Sequence, residues 1–193
     1  MSAQPLPKLT VEEYLEIERT SDTKHEFFAG QMYDMAGGTY EHAILVPNLI
    51  VEIGSRLKGT NCRIASNDLL VRTAPDGLHT YPDITIICGE PNLADDQRDV
   101  LLNPILLVEV LSKSTEAHDR GTKFAEYRRI ETLRDYVLVS QTEPRVEVFS
   151  RAEGATWTLR DYAGLEAACE LPAIDCSLPL ADIYRGVRFE PAF

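Results

Sequence analysis

The stretch Pro104–Tyr127, PILLVEVLSKSTEAHDRGTKFAEY, contains a single glutamate inside an apolar run. The run extends from Ile105 to Leu111, and Glu109 is its only ionisable residue. An apolar run of this kind is typical of a strand that is buried on both faces. A charge in that setting costs several kcal/mol unless it is paired or bound to a metal ion. The sequence therefore predicts a compensating group beside Glu109.

The segments that follow Glu109 indicate the fold class. An amphipathic helix is predicted from about Thr115 to Ile130, and the apolar strand DYVLVS follows it. This strand-helix-strand order favours a parallel pair of strands. We therefore expect an α/β protein with a mixed central β-sheet flanked by helices and additional antiparallel strands.

Further elements are predicted on both sides of this unit. Upstream, a capped helix starts after Thr10, and a hairpin turns at Ala29-Gly30. A core helix is predicted over residues 39–57, with Pro47 near its start or at a bend. Strands are predicted in CRIASNDLLVR and YPDITIIC. The downstream ones are antiparallel strands in RVEVFSRA and TWTLRDYA and a short helix in LPLADIYRGVRF. Residues 89–103 are expected to form a loop.

Length and composition predict a single domain over residues 1–193, because 193 residues with 44% hydrophobic content can bury one sizeable core. No apolar segment approaches the roughly 18 residues needed to span a membrane. The N-terminal MSAQPLPKLT contains no apolar signal-like stretch. No CxxC pair occurs among the four cysteines, Cys62, Cys88, Cys169 and Cys176. We therefore expect a cytoplasmic protein with reduced cysteines, no membrane association and no zinc site.

The charge distribution is uneven. A net charge of -12 argues against a sequence-independent polyanion binder, because phosphate contacts need a local surplus of Lys and Arg. The basic residues are nevertheless concentrated near Glu109: Lys113, Arg120, Lys123, Arg128, Arg129 and Arg134 all lie within residues 113–134. The net charge therefore argues against polyanion binding by the chain as a whole, but not by the basic segment near Glu109.

A second carboxylate is expected near Glu109. Asp83 begins the apolar strand after Pro82, and side chains on one face of neighbouring strands stand about 5 Å apart. Two such carboxylates would suit Mg²⁺ or Mn²⁺. The alternatives are a strand-entry aspartate hydrogen-bonded to backbone N–H groups for Asp83, and an ion pair with Lys or Arg for Glu109.

The helix after Glu109 supplies further polar groups. Asp119, Lys123 and Tyr127 recur at intervals of four and share one face, which the short connection after Glu109 folds back over the carboxylates. The alternative is a surface Asp–Lys pair beside a tyrosine at the core edge. His42 is either a lining residue of the cleft or a capping histidine.

These residues resemble the PD-(D/E)xK nuclease superfamily and, within it, the Uma-two family of restriction-endonuclease-like proteins. The resemblance covers roughly residues 9 to 140. It is carried by Pro82-Asp83 as the PD element, by Glu109-Val110-Leu111-Ser112 with Ser114-Thr115 as the stretch E-V-L-S-x-S-T, by the helix with Asp119, Lys123 and Tyr127, and by the upstream Glu26, Gly30 and His42.

The resemblance implies a restriction-endonuclease-like fold and metal-dependent hydrolysis of phosphodiester bonds in DNA. Asp83, Glu109 and the backbone carbonyl of Val110 would hold Mg²⁺ or Mn²⁺, and Glu26 would complete the carboxylate cluster. Lys123 would position or activate the attacking water. The superfamily lysine two residues after Glu109 is replaced here by Leu111, so its role passes to Lys123 or to Lys113.

Two other functions stay open at this point. One is a catalytically inactive nuclease-fold module for binding or interaction, which the net charge of -12 favours. The other is metal-dependent hydrolysis of a different phosphate ester. The resemblance also implies a homodimer, because cleavage of both strands of a duplex needs two sites. We expect Lys123 at the exposed edge of its helix, so Lys123→Ala should leave the fold nearly intact.

Overall fold

The computed structural model describes residues 8–35 and 37–189, and that part of the chain contains helices and three β-sheets. The helices are α1 (Val11–Glu18), α2 (Tyr40–Arg56), α3 (Glu116–His118), α4 (Phe124–Tyr127) and α5 (Leu180–Ile183), with a π-helical turn at Asp119–Lys123 and a 3₁₀ turn at Pro172–Ile174. The strands are β1 (His25–Phe28), β2 (Gln31–Asp34), β3 (Cys62–Ser66), β4 (Leu70–Arg72), β5 (His79–Thr80), β6 (Ile84–Cys88), β7 (Val100–Leu101), β8 (Leu106–Leu111), β9 (Asp135–Ser140), β10 (Arg145–Arg151), β11 (Trp157–Ala163), β12 (Ala168–Leu171) and β13 (Cys176–Pro179).

A six-stranded mixed sheet forms the centre, in the order β11-β10-β9-β8-β6-β3. Strands β8 and β9 are parallel, and the other neighbours in this sheet are antiparallel. The helical segment between β8 and β9 makes the crossover that parallel strands require. The predicted α/β class, with a mixed sheet, flanking helices and additional antiparallel strands, is confirmed.

Strand β8 is buried along its whole length, as the apolar run predicts. Because side chains alternate along a strand, its two faces contribute to two different apolar cores. Val108 and Val110 pack in the core that contains Leu49 of α2. Leu107 and Leu111 lie in the core on the opposite face, together with aromatic residues that include Tyr127 of α4. Glu109 lies between Leu107 and Leu111 on this second face.

A second sheet has five strands, in the order β2-β1-β5-β4-β7. The predicted hairpin joins β1 and β2, with Ala29 at φ 53° and Gly30 at φ 86°. Positive φ at both central residues gives the type I′ geometry that matches the twist of a two-residue hairpin. The predicted cap of α1 is also present, because the Thr10 hydroxyl accepts the Glu13 N–H while the Glu13 carboxylate accepts the Thr10 N–H.

Some elements differ from the sequence prediction. Strand β7 lies inside the segment predicted as a loop, and the hairpin of β12 and β13 was not predicted. The segment predicted as one helix from about Thr115 to Ile130 is interrupted by the π-helical turn and ends at Tyr127.

The prediction that all cysteines are reduced is wrong for one pair. Cys62 and Cys88 form a disulfide that joins the facing strands β3 and β6. The pairing follows from the sheet topology and not from spacing, because the two residues are separated by 26 positions. Cys169 and Cys176 are free and buried. Among the helices of the described residues, none combines the length and apolarity needed to cross a bilayer.

Candidate active site

Glu109 is compensated by a lysine and a tyrosine from the helical segment that follows its strand. Its side chain is only 7% exposed. The Lys123 ammonium lies 3.1 Å from Glu109 Oε1, and the Tyr127 hydroxyl donates a hydrogen bond of 2.6 Å to the same oxygen. The ion-pair alternative raised by the sequence is therefore present in the structure.

Lys123 is the centre of a larger group of charges. Its Nζ atom lies 2.9 Å from Glu26 Oε1, 3.1 Å from Glu109 Oε1 and 3.5 Å from Asp119 Oδ1. We call these four residues the Lys123 cluster. The expectation that Lys123 lies at an exposed edge is wrong, because the residue is only 7% exposed. Helical spacing identified the correct face of the helix but not its depth in the fold.

The π-helical turn holds two members of this cluster inside the protein. Asp119 and Lys123 are its first and last residues, and both are buried. The Tyr136 hydroxyl donates to the Asp119 backbone carbonyl, which ties the turn to β9. π-helical turns within α-helices frequently occur at functional sites. The sequence signal that could have revealed the interruption is Gly121, a poor helix former within the predicted helix.

Asp83 lies at the edge of the same region. It precedes β6, and its Oδ2 atom accepts a 2.8 Å hydrogen bond from the Val110 backbone N–H. Its Oδ1 atom lies 3.0 Å from Nε2 of His42, and this contact raises the pKa of that imidazole. The Thr39 hydroxyl accepts the backbone N–H of His42, so the cap of α2 belongs to Thr39. His42 is therefore not the capping residue of α2, and its imidazole contacts Asp83.

Glu26 reaches the Lys123 cluster from the five-stranded sheet, on β1. Thr80 of β5 donates a hydrogen bond to Glu26 Oε1. Thr80 is fully buried and was not singled out by the sequence. No local pattern marks it, because β5 has only two residues and its partner is far away along the chain. Two different sheets therefore supply carboxylates to one lysine.

The pKa values of Glu109 and Lys123 are strongly shifted. Burial raises the pKa of Glu109 to about 8, because desolvation outweighs the attraction of the Lys123 ammonium, and the Asp83 and Asp119 carboxylates raise it further. Desolvation acts to lower the pKa of Lys123, but the surrounding Glu109, Glu26 and Asp119 carboxylates outweigh it and raise this pKa above its ordinary value. Lys123 therefore stays an ammonium at neutral pH.

The other candidate lysine lies elsewhere. Lys113 is exposed and makes no ion pair with Glu109 within the described ranges. It lines a surface cavity of about 570 Å³ beyond the end of β8. The geometry therefore favours Lys123 over Lys113 as the lysine of the cluster.

Asp83 and Glu109 are the candidate carboxylate ligands of a divalent cation. Within residues 8–35 and 37–189, no group of three His, Cys, Asp or Glu side chains is arranged to hold a metal ion. Mg²⁺, however, keeps several waters and commonly uses only one or two protein carboxylates together with substrate phosphates. Asp83 and Glu109 are hard oxygen donors, and the charge of Asp83 raises the pKa of Glu109 by repulsion that a cation would relieve. The donor chemistry of these two carboxylates is of the type that Mg²⁺ and Mn²⁺ prefer.

The fold is that of a nuclease-like protein. The chain aligns with the crystal structure of a putative nuclease belonging to DUF820 from Anabaena variabilis ATCC 29413, with a TM-score of 0.75 and 16% sequence identity. The alignment covers 91% of this chain and 97% of the other.

The family model described as "Putative restriction endonuclease", Uma2, matches residues 11–181. The chain belongs to this Uma-two family, as the sequence resemblance predicts. Two relatives come from Synechocystis sp. (strain ATCC 27184 / PCC 6803 / Kazusa) and bear the names uncharacterized protein slr1290 and uncharacterized protein sll1609. The first is 36% identical, covering 96% of both chains, and the second is 34% identical, covering 84% of this chain and 92% of its own.

Proposed function

We propose that this protein is a metal-dependent endonuclease that hydrolyses phosphodiester bonds of DNA. The observation that carries the proposal is the convergence of a buried lysine with carboxylates from different elements. Lys123 lies 3.1 Å from Glu109 and 2.9 Å from Glu26, and Asp83 is hydrogen-bonded to the residue after Glu109. Family membership agrees with this chemistry.

In this proposal, Asp83, Glu109 and the backbone carbonyl of Val110 hold Mg²⁺ or Mn²⁺. When bound, such a cation lowers the pKa of water and stabilises charge on the phosphoryl oxygens. Asp83 is oriented for this role by the Val110 N–H on one oxygen and by His42 on the other.

Lys123 acts through its charge. Its raised pKa keeps it protonated, so it cannot serve as a general base near neutral pH. It stabilises the negative charge that develops on the phosphate and orients the attacking water. Glu26 and Asp119 are positioning residues, because they hold the ammonium at the end of its long side chain.

The proposal is tested by plasmid cleavage with Mg²⁺, with Mn²⁺ and with EDTA. We expect Glu109→Gln and Asp83→Asn to lower the cleavage rate by at least about 100-fold, because each removes charge from the proposed metal site. Glu147→Gln is the matched control: Glu147 is also a buried glutamate of the central sheet, but it pairs with Arg120. Cleavage that persists in EDTA, or an equal loss in all three variants, would contradict the proposal.

The second candidate is a catalytically inactive nuclease-fold module for binding or interaction. The lack of a three-ligand metal group in the described residues and the net charge of -12 favour it. DNA binding by the wild-type protein, with no cleavage in either metal, would support this alternative. We also propose a homodimer, since duplex cleavage needs two sites, and sedimentation measures the oligomeric state directly.

A further inference from the structure

The cavity beyond the end of β8 adjoins the candidate active site. Its volume is about 570 Å³, and its lining includes Leu111 at the end of β8 and Gln141 immediately after β9. These strands are parallel neighbours, so the cavity lies at their carboxyl ends. Crevices at this edge of an α/β sheet are common ligand sites. The volume is within the range of about 300–1,000 Å³ that is typical of small-molecule pockets.

Two connections link the cavity to the candidate active site. Leu111 is two positions after Glu109 on β8, so both side chains lie on the same face of the sheet. Thr39 lines the cavity and also accepts the backbone N–H of His42, whose imidazole contacts Asp83. A strand bound at the active site would therefore pass next to this cavity.

The cavity carries more positive than negative charge. Lys113 and Arg188 line it together with one carboxylate, Glu41. In the described ranges neither cation forms an ion pair, whereas Arg120 in the same basic segment pairs with two glutamates. The basic segment is thus neutralised at Arg120 but not at Lys113.

A polar atom of the cavity wall also needs a partner. The carboxamide oxygen of Gln141 accepts a hydrogen bond from the Thr39 hydroxyl, but its buried Nε2 has no hydrogen-bond partner in the described part of the chain. Buried donors of this kind are normally satisfied by protein, water or ligand. Leu111 and Phe189 add apolar surface.

We propose that this cavity is a DNA subsite that holds a phosphate next to the scissile one, together with part of its nucleoside. Lys113 and Arg188, the two exposed cations of the lining, contact the phosphate oxygens, and the apolar wall contacts the sugar or base. This inference rests on the proposed function. It also explains how a chain of net charge -12 accepts a polyanion, because the contact is local.

The test is binding of a fluorescein-labelled DNA duplex to the 193-residue protein in EDTA. Binding is measured by fluorescence anisotropy at several salt concentrations. The variants are Lys113→Ala, Arg188→Ala and the double variant. Lys58→Ala is the matched control, because Lys58 is an exposed lysine just past α2. With about 1.5 Å of rise per residue, α2 places it about 25 Å from the Thr39 end.

We expect each cavity variant to weaken binding and to reduce the slope of log Kd against log salt by about 0.7 to 0.9. Lys58→Ala should leave both unchanged. Absence of DNA binding by the wild type, or a double variant with the slope of the control, would overturn the subsite.

Plasmid cleavage separates failure of the subsite from failure of the proposed function. Cleavage by the wild type, with an unchanged slope in the double variant, overturns the subsite alone. If neither metal supports cleavage but the cavity variants lose slope of log Kd against log salt as expected, the endonuclease proposal is overturned and the cavity remains a DNA-binding site.

Discussion

The two faces of strand β8 are both buried, but they are built from different chemistry. On the α2 side, Val108 and Val110 pack in an apolar cluster that includes Leu49. On the other side, the alternation of leucines is interrupted by Glu109, which contacts Lys123. One strand therefore carries an ordinary core on one face and a desolvated charge group on the other.

The difference shows which face is built for stability. Burial of apolar side chains stabilises the fold in proportion to the area removed from water. A buried ion pair often stabilises a protein less than apolar residues of the same size, because both ions lose their hydration. Stability alone therefore does not explain the Lys123 cluster, which agrees with the catalytic role proposed for it.

Of three variants of these two faces, Lys123→Ala should lower the free energy of unfolding the most. Removal of the ammonium leaves three carboxylates close together without their shared cation, which should cost about 3–5 kcal/mol. Urea unfolding of the metal-free protein measures it. Lys58→Ala, at an exposed position, should change little. A loss below about 1 kcal/mol would mean that the charged face relaxes more easily than a buried ion pair normally does.

Leu49→Ala probes the apolar face. Leu49 is 1% exposed, and truncation of a buried leucine typically costs about 2–5 kcal/mol, in part through the cavity that remains. Because the residue lies on the α2 side, cleavage per folded molecule should stay close to that of the wild type. Urea unfolding together with plasmid cleavage checks both expectations. A large loss of cleavage in the folded variant would show that the two faces are not independent.

The smallest effect is expected for Glu109→Gln, and it should depend on pH. Between the ordinary pKa of 4.5 and about 8, folded Glu109 holds a proton that the unfolded chain has released. The unfolding free energy of the wild type should therefore fall as pH rises through this window. The neutral variant lacks this loss, so near pH 8 it should be more stable than the wild type by about 1–3 kcal/mol, with the difference vanishing towards pH 5.

Thermal or urea unfolding in EDTA across this pH range measures the difference. A variant that is less stable than the wild type at every pH would show that the ion pair with Lys123 outweighs desolvation. Addition of Mn²⁺ sharpens the comparison, because a bound cation should stabilise the wild type more than the variant.

Local patterns predicted much of the fold. The parallel pair β8 and β9, the hairpin at Ala29-Gly30 and the capping box of α1 each depend on a short run of residues with a distinct signal. The short strands β5 and β7 have only two residues each, which is too few to show a periodicity.

The site was predictable in its members but not in its environment. Helical spacing placed Lys123 and Tyr127 on one face, and both contact Glu109. The burial of Lys123 and the contact of Thr80 with Glu26 arise from the five-stranded sheet, whose position no local pattern encodes. The roles of Asp83, Glu109, Lys123 and Glu26 in catalysis stay predictions.

The disulfide between Cys62 and Cys88 has a consequence for the strand that Asp83 precedes. It fastens the edge strand β3 to β6 and so opposes slippage of one along the other. In a β-sheet, a slip by one residue turns every side chain of a strand to the opposite face. Such a slip of β6 would turn Asp83 away from Glu109. The covalent link thus acts as a register pin on the β3 side of β6, whereas the backbone pairing of β6 with β8 sets the register that brings Asp83 to the strand of Glu109.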